Sequence, residues 1–371
     1  MSFKLAPSTA TNRLLPDEAG LKTASSSVVS FRPGRWALTK LLGKIHPDIL
    51  VAAVDRWEVA PPSHVEVRRA KTLPGQIDRI RRAEFATMSE LVTHLSGGYA
   101  SAQSATTGYR LKNVLLQDGV LYAAGAVRHL RTRSAPFRPA VLAAPEHAFG
   151  SLYESWGGNR WFGNWLSDDC LSYRLAEETG HPYTTDLATH HKGDYAHRLG
   201  IRPERGTSAW FRELIVFDDS ANNEHRRARA DDMRRRLVPG PIHRHPGVFL
   251  LRGASGQSRI LMNERAIGDH LAARQGFQVI DPSTASVEEI ILACAGARVI
   301  AGVEGSHMVH GLVVMPADAC ALVIMPPMRG ASDLKHLTDR QGQDYALVVG
   351  EGDTDRFIAD ADCIERTLDL L

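Results

Sequence analysis

The chain has 371 residues, of which 43% are hydrophobic and 23% charged, so it can bury two domain-sized cores and is neither disordered nor fibrous. Lys and Arg number 44 against 42 Asp and Glu, leaving a net charge of +2. That balance excludes a molecule-wide field for nucleic acid or an anionic membrane, and any anion site has to be local. The four cysteines, Cys170, Cys294, Cys320 and Cys363, form no CxxC pair and read as reduced core thiols. The first thirty residues carry no apolar h-region, and the longest apolar stretch, 312–325, is interrupted by Pro316 and Asp318, short of a membrane span. A cytoplasmic protein is expected, with peripheral contact to the inner membrane left open.

Residues 1–30, rich in Ser, Thr and Pro, read as a flexible tail. A first α/β domain is expected over 31–205. It should hold a helix at 75–96 and a hairpin in which Asp118-Gly119 joins 113–117 to 120–124. A strand is expected at 140–144, and a helix at 161–179 with Trp161, Trp165, Leu166, Leu171 and Leu175 on one face. A second domain is expected over 206–350, opening with a strand at 214–217. Helix 223–237, strand 248–251, and helix 263–275 ended by Gly276 follow. Next come strand 277–280, a helix opened by the Ser286/Glu289 capping box, strand 298–301, helix 307–315 and strand 321–325. Such alternation is the signature of a doubly wound parallel sheet. A terminal helix with Phe357, Ala361, Ile364 and Leu368 on one face should pack back over 351–371. No internal repeat is present.

Three segments carry candidate chemistry. Arg252 closes a strand and Arg259 precedes a helix that Asn263 is expected to cap. Two guanidiniums at a strand end could grip a diphosphate, or each could be a surface arginine paired with Glu264 or Asp269. In 301–310, a strand leads through Gly302 and Gly305 to Ser306 and His307 at a helix start, a backbone geometry suited to phosphate. It is neither GxGxxG nor a Walker loop. The pairs His190/His191, His243/His245 and His307/His310 lack a third ligand, so no metal site is expected. The run 223–245 has seven Arg against Glu224, Asp231 and Asp232 and reads as a solvated helix face.

Arg252, Arg259, Asn263-Glu264, Gly276-Phe277 and the strand-turn-helix around Gly305 resemble glycosyltransferase family 61 over about 211–327. The patch Trp161-Phe162-Gly163-Asn164-Trp165-Leu166-Ser167-Asp168 is similar to that family's aromatic, Gly, His, Trp and Asp motif. The resemblance implies a GT-B-like α/β fold, two Rossmann-like domains facing across a cleft, with the nucleotide sugar in the C-terminal domain and the acceptor on the other. It also implies inversion at the anomeric carbon, no metal and no cofactor beyond the nucleotide-sugar donor, a UDP-sugar being expected. The partners implied are that donor and a glycan or glycoconjugate acceptor in bacterial surface polysaccharide synthesis. Donor contacts fall on Arg252, Arg259, Asn263, Glu264, Gly305, Ser306 and His307, and acceptor-side contacts on Asn164 and Trp165.

Two positions depart from the family: Asn164 stands where His is common, and Glu304-Gly305-Ser306 where His-Gly-Ala is common. An amide cannot take a proton; the base that the resemblance implies is Asp168, which matches the family's acidic residue, with Asp169 as its rival and Glu304 or His307 as alternatives. Two other readings remain open. One is a catalytically silent family member that binds a nucleotide or glycan. The other, weakened by the missing GxGxxG, is a nicotinamide-dependent oxidoreductase.

Overall fold

The computed structural model describes residues 27–133, 135–254, 256, 259–353 and 355–371. Most of the expected tail lies outside them. Its last residues, Ser27–Ser30, form a strand antiparallel to Val141–Leu152.

The first half is built on a nine-stranded mixed sheet, which corrects the expectation of a parallel Rossmann-like sheet there. Its centre is Ser208–Asp218, antiparallel to Thr106–Gln117 and parallel to Val141–Leu152. The expected strand at 214–217 is therefore longer and belongs to the first sheet. Phe211 and Leu214 are fully buried on it, and pattern alone does not say which sheet such a strand joins. The Asp118-Gly119 hairpin forms as expected. Both residues have positive φ, 44° and 72°, the requirement of a type I′ turn matched to strand twist.

The segment expected as one helix at 75–96 is helical only at Ile77–Arg79, a single 3-10 turn, and at Met88–Ser96, which a Thr87/Glu90 capping box opens. Between them the backbone is used elsewhere. Arg81 donates to the Pro327 carbonyl and Glu84 to that of Gly330, while Lys71 bonds Tyr345 and Leu347. This stretch of the first half thus covers an edge of the second sheet, satisfying groups that would otherwise be exposed.

The second sheet has five parallel strands in the spatial order Gln278–Ile280, His245–Leu250, Ala297–Val303, Cys320–Met325, Asp344–Val349. By chain order this is 2-1-3-4-5, and the direction of winding reverses between His245–Leu250 and Ala297–Val303. Ligands bind at such a switch point, beyond the carboxyl ends of the two strands. Cys320–Met325 is buried along its whole length, as a strand covered on both faces should be. The helix Asp333–Gln341 and the strand Asp344–Val349 fill a stretch to which the sequence reading assigned no element. The terminal helix is shorter than expected, Ala361–Leu368, because Phe357 lies instead on the strand Arg356–Ile358.

One apolar core runs through both halves, joining Leu166, Tyr195 and Met233 to Val248, Ile290 and Val323. The helices between the sheets therefore form a shared layer. All four cysteines are free and buried. No helix among the described residues is long and apolar enough to cross a membrane.

Candidate active site

A cavity of about 1290 Å³ is lined by the strand ends at the switch point and by residues 160–164 and 167–168 of the first half. Gly163 brings these two walls together. A Cβ there would lie 3.1 Å from Ser306 Oγ and 3.0 Å from Val309, so glycine allows the Trp161–Asp168 patch to seat directly on the Gly305 turn.

Arg252 leaves the end of His245–Leu250, and Glu264 fixes it there by accepting the backbone N–H of Arg252 and of Gly253, each at 2.8 Å. The Arg252 Nη1 donates to the Arg259 carbonyl at 3.3 Å. Arg259 Nε donates to the Glu304 carbonyl at 2.8 Å and lies 3.2 Å from the Glu304 carboxylate. Both arginines are 6% exposed, and Arg259 Nη1 has no hydrogen-bond partner among the described residues. Burial, then the neighbouring Arg259, lowers the Arg252 guanidinium to about 10, and burial also lowers Arg259. Arg252 still carries its proton at neutral pH. Gly305, at φ 155°, sits so close that a Cβ would be 3.0 Å from Arg259 Nη2 and 3.3 Å from Arg252 Nε.

The helix expected from His307 to Met315 is only a 3-10 turn, Ser306–Met308, followed by one α-turn, Val309–Leu312. So short an element builds little macrodipole. The local positive charge comes from the arginines instead. They and, above all, burial push the His307 imidazole down to about 3, which leaves it neutral.

At the other wall the chain makes a π-helical turn, Trp165–Asp169, where the expected helix 161–179 is broken into short pieces. The wider turn separates the two adjacent acids. Asp168 lines the cavity, accepting from Arg226 Nη2 at 2.6 Å and Asn164 Nδ2 at 3.1 Å, with Arg340 Nη1 at 3.6 Å. Asp169 is buried away from it and accepts the Ser155 N–H at 3.2 Å and hydroxyl at 2.7 Å. Burial pushes its carboxyl well up.

Asn164, Asp168, Arg252, Arg259, Glu304, Gly305, Ser306 and His307 thus share one cavity. Asp169, Trp165, Asn263 and Glu264 do not line it. Trp165 is buried beneath it against Phe162. Asn263 makes no cap bond, and instead exchanges hydrogen bonds with the Ala359 backbone at 2.7 and 3.2 Å. Glu264 holds Arg252.

Arg226, Arg329 and Arg340, which surround Asp168 and Glu304, escaped the sequence reading, as did Arg160 on the cavity wall. Arg226 belongs to the run read as a solvated face, yet it is 3% exposed. The sequence signal was its place three residues after the capping Asn223. Arg340 lies on the unanticipated helix. Arg329, paired with Glu84 at 3.0 Å and 4.0 Å from Glu304, had no sequence signal. No group of three His, Cys, Asp or Glu that could hold a metal occurs among the described residues.

His310, stacked on Phe162 at 4.4 Å and 2.9 Å from the Tyr195 hydroxyl, is also driven well below its ordinary value by burial. Below about pH 6.5 the unfolded chain therefore binds more protons at His307 and His310 than the folded one, and stability falls as pH falls. The loss expected at pH 5.5 is about 1 kcal/mol per histidine. Asp169 and Glu154, raised by burial, give the opposite slope. The difference in melting temperature between wild type and His310→Gln isolates the histidine: it should shrink from pH 7.5 to 5.5, and a constant difference would contradict the assignment.

The parallel sheet, with a buried arginine pair at its switch point, defines the class of the protein as α/β. The chain belongs to the glycosyltransferase 61 family, whose model matches residues 137–322, half of the chain. The match covers both cavity walls described above and confirms the resemblance read from their motifs. No curated protein matches. Similar solved structures include an apo NADH:FMN oxidoreductase (EMOB), 12% identical, covering 34% of this chain and 86% of that one at a TM-score of 0.24. The metal-soaked Flv1 flavodiiron core from Synechocystis sp. PCC6803 is 10% identical, covering 71% and 62% at 0.25. The flavodiiron protein from Giardia intestinalis is 8% identical, covering 72% and 63% at 0.24. The chain thus spans less than two thirds of the latter two, and these likenesses carry no weight for fold or function.

Proposed function

We propose that the protein is an inverting, metal-independent glycosyltransferase that moves a sugar from a nucleotide donor, a UDP-sugar in the first instance, to a glycan or glycoconjugate acceptor. Cytoplasmic synthesis of a bacterial surface polysaccharide suits that chemistry. The observation that carries this reading is the buried Arg252/Arg259 pair beside Gly305 at the switch point. A departing nucleoside diphosphate needs concentrated positive charge and close backbone approach, and both are present. The second sheet is then the donor side and the mixed sheet the acceptor side, an arrangement that has one Rossmann-like half where a GT-B fold has two.

In a single displacement the acceptor hydroxyl attacks the anomeric carbon while a base takes its proton. Asp168 is assigned that role. Glu304, bonded to Arg259, positions the guanidinium and offsets part of its charge. Asn164 donates to Asp168, so the amide that replaces the family's usual His orients the base. His307, neutral beside the arginines, can accept or donate one hydrogen bond without adding charge.

The test is a panel of nucleotide sugars, scored for transfer and hydrolysis with the anomeric configuration of the product read by NMR. Turnover is expected to be unchanged by EDTA. Activity abolished by EDTA and restored by Mn²⁺ or Mg²⁺ would overturn the metal-independent part.

One observation favours a second reading, a silent nucleotide-binding member: the Asp168 carboxylate is already engaged by Arg226 at 2.6 Å. Tight nucleotide binding without hydrolysis or transfer of any donor would support it.

A further inference from the structure

The helix Arg32–Leu41 is anchored to the first sheet on one side only. Trp36 packs edge-on against Tyr122 and His129 at ring distances of 6.2 and 5.8 Å, and Gly34 N–H bonds the Pro139 carbonyl at 2.7 Å. On the other side, Leu38 and Leu41 lie on the helix and Leu42 and Ile45 in the turn and loop that follow it through Gly43, at a spacing that in a continuous helix would mark a buried stripe. Here the stripe is bare: Leu41 is 85% exposed and Ile45 96%. Phe31, at the other end of the helix, and Val51 are each more than two thirds exposed as well. Large apolar side chains left this exposed at neighbouring positions of the chain mark an interaction site.

Its charge is one-sided. No Asp or Glu occurs from Ser27 to Pro47, while Arg35, Lys40 and Lys44 punctuate the stripe. None of the three has an ion-pair partner among the described residues, and Lys40 lies 5.2 Å over the Trp36 ring, at the rim between the anchored side and the bare one. Arg32 is committed elsewhere, to the Tyr122 carbonyl at 3.0 Å and the Trp210 ring.

We propose that this face docks on the surface of an anionic phospholipid bilayer, with the leucines and Ile45 in the headgroup–acyl boundary and Arg35, Lys40 and Lys44 against lipid phosphates. Apolar side chains interleaved with cations on a short helix and the turn after it fit that interface. A second copy of the chain fits poorly, because a two-fold contact would set these cations against their own counterparts. The face lies outside residues 137–322 matched by the family, and the inference does not depend on the glycosyltransferase reading. The net charge of +2 confines the attraction to this patch.

The experiment is co-sedimentation of the full chain with vesicles of phosphatidylcholine alone or with added phosphatidylglycerol. Binding is expected on the anionic vesicles, weaker on neutral ones, and reduced by raised salt. The double substitution Leu41→Glu/Ile45→Glu should weaken partitioning by about ten-fold or more. Lys40→Glu/Lys44→Glu should lower it on anionic vesicles only. Because these side chains are exposed, melting temperatures should match wild type, which separates lost docking from lost fold. Absence of partitioning at low salt, or partitioning unaffected by Leu41→Glu/Ile45→Glu, overturns the proposal. So does light scattering that shows a dimer dissociated by Leu41→Glu, which would make the face a self-interface. Binding that vanishes on deleting residues 1–26 but survives Leu41→Glu/Ile45→Glu would move the contact to that segment and overturn it too.

Discussion

Arg259→Ala is expected to weaken nucleoside diphosphate binding by about 1.5–3 kcal/mol, roughly ten- to 150-fold, the range for hydrogen bonds to charged groups. The upper end is favoured by what the substitution leaves behind. Glu304 is 8% exposed on its side chain and its closest guanidinium is Arg259, since Arg329 stands 4.0 Å away. Without Arg259 a buried carboxylate faces the donor phosphates with little compensation. Arg259→Ala combined with Glu304→Gln should therefore recover part of the affinity. Calorimetry gives the direct readout, and unchanged affinity for every nucleoside diphosphate tested would remove Arg259 from the donor site. A melting temperature recorded alongside distinguishes a lost contact from a collapsed pocket.

Asp168→Asn is expected to lower kcat by about 10²-fold or more while leaving donor affinity nearly unchanged, because it removes the basic charge and keeps the shape. The surroundings make this substitution informative. Arg226 retains an acceptor in the amide oxygen and keeps Asp219 at 4.0 Å, which is itself held by Arg229 at 2.6 Å. The buried arginine is thus not stranded and the fold should survive. Asp169→Asn is expected to behave differently. Its carboxyl anchors the Ser155 N–H and hydroxyl, so the loss should appear in stability before it appears in turnover. If Glu304→Gln slows the reaction while Asp168→Asn stays near wild type, the base is Glu304. If neither does, His307 or a group on the acceptor takes the proton.

These expectations rest on features of unequal legibility. The Asp118-Gly119 turn, the Ser286/Glu289 capping box, the glycine at 276 that ends a helix and the succession of buried strands were all readable from the chain. Each is decided within a few residues, by backbone sterics, by the orphan N–H groups of a helix end or by the period of apolar side chains. The arginine pair was readable for the same reason, since a strand end followed by a helix start places Arg252 and Arg259 at the sheet's carboxyl edge.

The partners of those residues were not readable. Its place three residues after the capping Asn223 sets Arg226, buried on Asp168, apart from Arg235 or Arg236, which stay on the surface with Asp232, but nothing local names its partner. Helical spacing puts Asp168 and Asp169 on similar footing, and only the π-turn Trp165–Asp169 sends one into the cavity and the other into the core. The strand Ser208–Asp218 carries a good strand pattern for either sheet, and its place was settled by pairing with chain some hundred residues earlier. Asn263 looked like a helix cap but is taken by Ala359, nearly a hundred residues later. By itself the sequence determined the parallel sheet, its strand-end arginines and the family. The tertiary structure alone decided which acid faces the cavity, which cations are buried with it and which apolar stripe stays bare, because burial and ion pairing depend on groups that the chain brings together only by folding.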